Sequence, residues 1–427
     1  MRKWASRILL IVTLLWFGAA PAQLVPQVQV PGVQLPPLPI DPALRRVDEN
    51  LRNLPARTVR ADRLFAEHRA ELDRDPRGDL VVRAEVVAID ITEAALAKAK
   101  QADFLVKRTR ELADLAVKVT VLQTPAGWSA SRGLKRLRKL DPDGTYDFNH
   151  VYLDSGEFRG APRTAEAVEG GAPRGVTTRI GLIDGGVDAS HAALRDNTLH
   201  RFGCNGRIVP DPHGTGVASL LAGSAAGFAG AAPHAELFAA DVYCGEPTGG
   251  AVDAIAAAFE WMAQERVAVI NVSLVGPRNS LLQHLVKILV SRGHLIVAAV
   301  GNDGAAAPPL YPAAYPGVVG VTAVDAKHRV LLEACRGKHL DLAAPGTDFN
   351  VAAAGTPDSY VDVRGTSFAA PIVAGLLARD LREPDPAASE RVLAALTAQA
   401  EDLGPKGRDD IYGAGLVGAG LPENPIK

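Results

Sequence analysis

Hydrophobic and polar positions change rhythm several times along this chain. Residues 23–42 carry Pro26, Pro31, Pro36, Pro37, Pro39 and Pro42 among valine and glutamine, without periodicity. Repeated proline removes backbone donors and favours extended conformations, so this stretch is expected to be a stiff linker. Residues 43–77 are densely charged with scattered leucines, the pattern of a solvated helical segment. From residue 78 the pattern becomes regular. Residues 80–89 are rich in β-branched side chains and alternate in part, which predicts a strand. Residues 92–101 hold strong helix formers, and 104–110 and 115–122 are two further strand candidates. A basic helix is predicted over 129–140, with Leu134, Leu137 and Leu140 at three-residue spacing, and a closing strand over 146–153. The order β-α-β-β-α-β describes a small α+β, ferredoxin-like unit over residues 78–152.

Beyond about residue 175 short apolar runs alternate with helical stretches. Runs at 179–183, 235–242, 267–274, 295–300 and 318–324 have few charges, as strands buried on both faces do. Helical patterns at 250–266 and 279–292 separate them. This alternation predicts an α/β domain with a doubly wound, mostly parallel sheet.

Composition narrows the function. The chain has 427 residues, enough for two or three domains, and 47% of them are hydrophobic. Charged residues make up 22% and the net charge is −2, which leaves no footprint for nucleic acid. At the start, Arg2, Lys3 and Arg7 precede an apolar run over 8–17, then Ala20-Pro21-Ala22. That is the layout of a cleaved export signal over residues 1–22. The other reading is an uncleaved anchor, but the run is too short to span a bilayer. An exported protein without stable membrane insertion, periplasmic or extracellular, is the expectation. In an oxidising compartment, three cysteines give one disulfide and one thiol. Cys204 and Cys244, in loops near His213 and after the 237–242 run, are the expected pair and Cys335 the buried thiol; three reduced thiols is the alternative. No C-x-x-C pair or His/Cys cluster suggests zinc.

Chemistry collects where strands of an open α/β sheet end. Asp184 directly follows the apolar run Ile180-Gly181-Leu182-Ile183. On its own it reads equally as an acidic turn residue. His213 opens His213-Gly214-Thr215-Gly216 before Val217, Leu220 and Leu221 at helical spacing, so backbone places it at a helix entry, where it reads either as a structural histidine or, with two glycines that let other groups approach, as a catalytic one. Ser367 stands in Gly365-Thr366-Ser367-Phe368-Ala369-Ala370-Pro371 ahead of a helix apolar nearly all round. A serine there is commonly just an N-cap, but amides at that entry also suit an oxyanion. Asn302, after the 295–300 run, is either a turn residue or an amide donor to such an oxyanion.

The order Asp, His, Ser is one of three known for this triad. With the motifs IGLIDGGVD, HGTGVAS, NVSLVGP, AAVGNDG, GTSFAAP and YGAGLV in sequence, residues from about 175 to 420 resemble a subtilisin-like serine protease, a subtilase. The resemblance implies a serine endopeptidase acting on polypeptides, with Ser367 as nucleophile, His213 as general base and Asp184 orienting the imidazole. It further implies Asn302 and the Ser367 amide as the oxyanion hole. Ser273, Leu274, Val275 and Gly276 match the extended segment that pairs with substrate backbone. The family usually has Ser or Thr where this chain has Gly185, often a second His at Gly216, and Ser at Arg364. Many relatives bind calcium, which is left open here; no acidic cluster clearly marks a site, so the expectation is no cofactor and no metal.

The unit at 78–152 resembles the family's propeptide, which acts as intramolecular chaperone and inhibitor and is cut from the catalytic domain, here 153–427. Its tail would be Phe148-Asn149-His150-Val151-Tyr152, cut after Tyr152; a permanently attached domain is the alternative. A subtilase fold that has lost activity and serves as an envelope binding protein is the competing function, and a processing protease with one envelope partner is a third.

Overall fold

The computed structural model describes residues 56–164, 178–225 and 227–421. The export signal, the proline-rich linker and residues 43–55 therefore lie outside the described residues. The charged segment yields one helix, α1 (Ala56–Glu67). A short strand β1 (Leu72–Arg74) leads into β2 (Leu80–Ile89), α2 (Glu93–Gln101), β3 (Leu105–Leu112), β4 (Val117–Gln123), α3 (Ala130–Leu140) and β5 (Thr145–His150). Both helices start at side-chain caps, Thr92 accepting from the Ala95 amide and Ser129 from the Arg132 amide. The strands form one antiparallel sheet in which β2 pairs with β1, β4 and β5, and β3 lies at the far edge.

Alternation along β2 sends side chains to both faces. Val86 and Ala88 pack with Leu122, Leu134 and Leu137 under the unit's own helices. Val87 and Ile89 face the other way, joining Val119 and Val121 against Phe259, Met262 and Leu285 of the large domain. The small sheet thus shares a core with its neighbour. A buried salt-bridge network adds direction: Arg108 reaches Asp253 at 2.6 Å and Glu85 at 2.8 Å, while Asn149 donates to both carboxylates.

The run predicted as one strand over 146–153 is two. After β5 the chain leaves the small sheet, and β6 (Leu153–Asp154) and β7 (Glu157–Thr164) pair with the large domain instead. That domain has seven parallel strands: β8 (Arg179–Asp184), β9 (Leu199–Gly203), β12 (Glu236–Asp241), β13 (Val269–Val272), β15 (Leu295–Ala299), β16 (Val319–Val324) and β17 (Leu342–Pro345). Their order is β17-β16-β15-β13-β8-β12-β9. The fold is α/β and subtilisin-like, with a mostly parallel sheet preceded by a small α+β unit.

Helices α4 (Pro212–Ala222) and α7 (Thr366–Ala378) cover one face of the sheet; α5 (Val252–Gln264) and α6 (Ser280–Ser291) cover the other. A two-strand hairpin, β10 (Ser224–Ala225) and β11 (Phe228–Ala229), follows α4, and β14 (Leu274–Val275) follows β13. A hairpin of β18 (Thr347–Ala352) and β19 (Ser359–Arg364) leads into α7, and α8 (Pro386–Thr397) lies near the C-terminus. Among the described residues no helix is long and apolar enough to cross a membrane.

Candidate active site

Asp184 ends β8 beside the middle of the sheet, and His213 is the second residue of α4. The helix starts there because Pro212 cannot donate and Asp211 caps the turn, accepting from the amides of His213 at 2.8 Å and Gly214 at 3.0 Å. The cap brings Nδ1 of His213 to 2.9 and 3.0 Å from the two Asp184 oxygens. Both residues are buried. A nitrogen facing a carboxylate carries the proton, so Nε2 is the free face of the ring. Burial pulls the His213 pKa down, but the carboxylates of Asp184, Asp154 and Asp211 outweigh it and hold it up at about 9.

Local packing explains two departures from the family pattern. A Cβ on Gly185 would lie 2.5–2.6 Å from the Asp211 side chain, so Asp211 occupies the space of the usual Ser or Thr. A Cβ on Gly216 would come within 2.8 Å of Val351. Arg364 is held by Glu333, with Nη2 2.9 Å from Oε2.

Ser367 is the second residue of α7, whose interior holds Pro371. Proline has no amide for the carbonyl four residues back, which is that of Ser367. The Ser273 hydroxyl fills the gap, donating to Ser367 O at 2.9 Å, and is itself held by Asn271 Nδ2 at 2.8 Å. The Ser367 hydroxyl donates to the Ser273 carbonyl at 3.2 Å. Ser273, matched in sequence to substrate-binding positions, thus braces Ser367 through both its side chain and its carbonyl.

The chain's own segment 152–156 runs through this cleft. Leu274 and Val275 pair antiparallel with Asp154 and Leu153. The ring of Tyr152, wholly buried, lies on Gly276, and its hydroxyl donates to Pro277 O at 2.6 Å. Asn302 Nδ2 donates to the carbonyl of Ser155, while its Oδ1 accepts from the Thr366 amide at 3.1 Å. Ser155 Oγ is 2.6 Å from Ser367 Oγ, and the Ser155 amide points at the same oxygen from 3.3 Å. His213 Nε2 has no hydrogen-bond partner. Asp184, His213, Ser367, Asn302 and the 273–276 segment therefore converge on one cleft, with the bond from Ser367 to His213 unmade.

The tail expected at 148–152 continues three residues further. Tyr152 is held by other partners than Ser367 and Asn302: its amide donates to Gly250 O at 2.8 Å and its carbonyl accepts from the Tyr243 hydroxyl at 3.2 Å. The sequence also hid two arginines of α1. Arg60 forms a two-pronged pair with Asp154, and Arg57 reaches Asp303. Asp211 gave no signal beyond preceding a proline.

Cys204 and Cys244 form a disulfide with Cα atoms 5.2 Å apart. They gather with Asp241 within 4.8 Å, but joined sulfurs leave that cluster no thiolate for a metal. Cys335 is a buried free thiol whose pKa burial pushes up to about 11, so it is held protonated.

Comparison with known proteins agrees with this geometry. The family model described as "Subtilase family" matches residues 175–415. Subtilisin DY of Bacillus licheniformis is 32% identical over 261 residues, covering 59% of this chain and 93% of its own. Subtilisin E of Bacillus subtilis is 29% identical over 346 residues, covering 78% of this chain and 88% of its own. That stretch is longer than residue 175 to the C-terminus, so it includes part of the N-terminal unit. In fold, the chain resembles fervidolysin from Fervidobacterium pennivorans, with a TM-score of 0.62 at 18% identity over 80% of this chain and 60% of that one. With a family model over more than half its length and a relative matched nearly end to end, this chain belongs to the subtilase family and is a serine endopeptidase.

Proposed function

We propose that this endopeptidase is made as an exported precursor that cuts its own chain between Ser155 and Gly156, using Asp184, His213 and Ser367. The observation that carries the reading is the Ser155 carbonyl, which accepts from Asn302 Nδ2 while Ser367 Oγ sits beside the same residue. A carbonyl so held has its oxygen where negative charge develops. In the reaction, Ser367 Oγ turns from the Ser273 carbonyl and attacks the Ser155 carbonyl carbon. His213 Nε2 takes the hydroxyl proton, and Asp184 steadies the imidazolium through Nδ1. Asn302 and the Ser367 amide hold the oxyanion. As the C–N bond breaks, Nε2 returns the proton to the Gly156 nitrogen, leaving Ser155 esterified to Ser367. Water, activated by the same ring, hydrolyses the ester. No cofactor enters this sequence.

This places the cut three residues beyond Tyr152. The unit from 78 to Ser155 would then act as folding template and inhibitor, since its tail fills the cleft and its sheet shares the core of α5 and α6. Two further features support export: the signal-like residues 1–22 and the Cys204–Cys244 disulfide, a bond of oxidising compartments.

The test compares wild type with Ser367→Ala by intact mass and fluorophosphonate labelling. Wild type is expected to label and to yield a chain beginning at Gly156, with the variant doing neither. A cut elsewhere would refute the placement; a variant that shortens as fast as wild type would refute self-processing.

A further inference from the structure

One side of α3 carries charge that the fold does not use. Its buried side is Ala130, Gly133, Leu134 and Leu137, while Arg132, Lys135, Arg136 and Lys139 are exposed. Those four stand at i, i+3, i+4 and i+7, so they form one stripe along the helix. α3 contains no acidic residue. Among the described residues no carboxylate lies within ion-pair distance of the four, whereas Lys107, Arg108 and Lys118 of the same unit each have one. Arg138, the fifth base of α3, donates to the Tyr146 carbonyl at 2.9 Å. Asp141 and Asp143, next along the chain, line a cavity against Ser280 and His284 of α6.

Like charges at these spacings repel one another and weaken the helix that carries them. An outside partner of opposite charge removes that cost. The stripe is about 10 Å long and fans its charges outward from a helix surface. It therefore suits many negative groups spread in a plane rather than one small anion held in a pocket. The neighbouring α2 adds exposed Lys98 and Lys100. Trp128 supplies a second feature. It is half-buried, four residues before Arg132, whose guanidinium carbon lies 3.9 Å from the centre of a Trp128 ring. An indole beside cations suits lipid headgroups, where its apolar body and its N–H both find partners. A chain exported as proposed above meets such a surface as it emerges.

We propose that α3 docks this chain on an anionic lipid bilayer, with the basic stripe against the headgroups and Trp128 among them. Such docking needs no membrane-spanning helix. Residues 156–427 hold 22 basic and 29 acidic side chains, so the cut proposed above leaves the attraction with the N-terminal unit. Docking itself does not depend on that cut.

The test sediments the Ser367→Ala chain, from residue 23 onward, with phosphatidylcholine vesicles that contain or lack phosphatidylglycerol. The substitution keeps the chain whole, and starting at residue 23 keeps the apolar run at 8–17 from binding lipid by itself. Binding is expected only with phosphatidylglycerol and weakens steeply as salt is added, with tryptophan emission moving to shorter wavelength. A basic residue near an anionic surface contributes roughly fivefold in affinity, so Lys135→Gln with Arg136→Gln is expected to bind about 25-fold less. Lys327→Gln with Arg382→Gln, both exposed on the catalytic domain, is expected to bind as before. Far-UV circular dichroism checks that each variant folds. Equal binding to both kinds of vesicle, or no shift in emission, overturns the inference. So does equal binding by the two double variants. Binding to polyglutamate without binding to phosphatidylglycerol vesicles overturns it too, since the partner is then an acidic polypeptide.

Discussion

Ser155 Oγ lies 2.6 Å from Ser367 Oγ, so in the proposed self-cleavage the residue that supplies the attacked carbonyl also bonds to its attacker. With the Ser367 proton on the Ser273 carbonyl, Ser155 donates, and its amide takes what remains of the lone-pair space. The nucleophile is thus saturated by partners other than its base. Removing the hydroxyl frees one bond, worth about 1 kcal/mol, or roughly fivefold. Ser155→Ala is expected to speed self-cleavage by about that factor, followed as loss of the full-length band with time. A slower precursor would show that this hydroxyl assists rather than restrains.

The His213 ring sets a pH dependence with a definite sign. Burial lowers its pKa, yet Asp184 from β8, Asp154 from β6 and Asp211 from the cap of α4 raise it to about 9. A folded value above the ordinary 6.5 gives stability that is whole below pH 6.5 and lost as pH rises through about 9. The same proton blocks Nε2 as a base, so self-cleavage is expected to rise about tenfold per unit between pH 7 and 9. Asp154→Asn removes one of the three carboxylates and moves the rise toward lower pH. A profile flat over that range would rule out His213 as the titrating base.

Gly156 has no room for a side chain. A Cβ there would lie 2.4 Å from the Phe368 ring and 3.0 Å from His213 Nε2. Gly156→Ala has to shift the scissile bond or the base, and a shift of that order costs about a hundredfold in rate. Accumulation of uncut precursor, with normal far-UV circular dichroism, is the expected result. Normal processing would mean that the tail is seated less tightly than its contacts imply.

Tyr152 anchors the tail. Burial keeps its pKa well above 10, so its hydroxyl stays a donor to Pro277 O. Tyr152→Phe leaves that carbonyl unpaired at a cost of about 1–3 kcal/mol. The cut N-terminal unit is then expected to leave roughly five- to a hundredfold more readily, measured as inhibition remaining after processing. Equal inhibition by the two forms would assign the hold to the sheet and not to the tail.

What the sequence made legible follows from how local each signal is. Asp184, His213, Asn302 and Ser367 stand in motifs where neighbouring residues share one constraint, so the convergence of these groups was readable. Thr92 and Ser129 mark the starts of α2 and α3 by the same local logic. The break after His150 was not readable, because Leu153 and Asp154 choose a strand more than a hundred residues away. Arg57 and Arg60 looked like any solvated arginines, since their partners Asp303 and Asp154 lie far along the chain. β17, with only Leu342–Pro345, is too short to announce itself.

The strand that follows the proposed cut holds the new terminus in place. β7 begins one residue after Gly156 and pairs along β19 from Glu157 opposite Arg364 to Thr164 opposite Ser359. On the proposed cleavage between Ser155 and Gly156, the new amine would not be lost to solvent but would stay pinned beside the ester it leaves. A nucleophile held in that way acts at an effective concentration far above any reached by free peptide. The ester can therefore be reclosed as well as hydrolysed. Under the proposed self-cleavage, maturation would become irreversible only when β7 peels from the hairpin, so the committing step would be the unzipping of a strand rather than the scission of a bond.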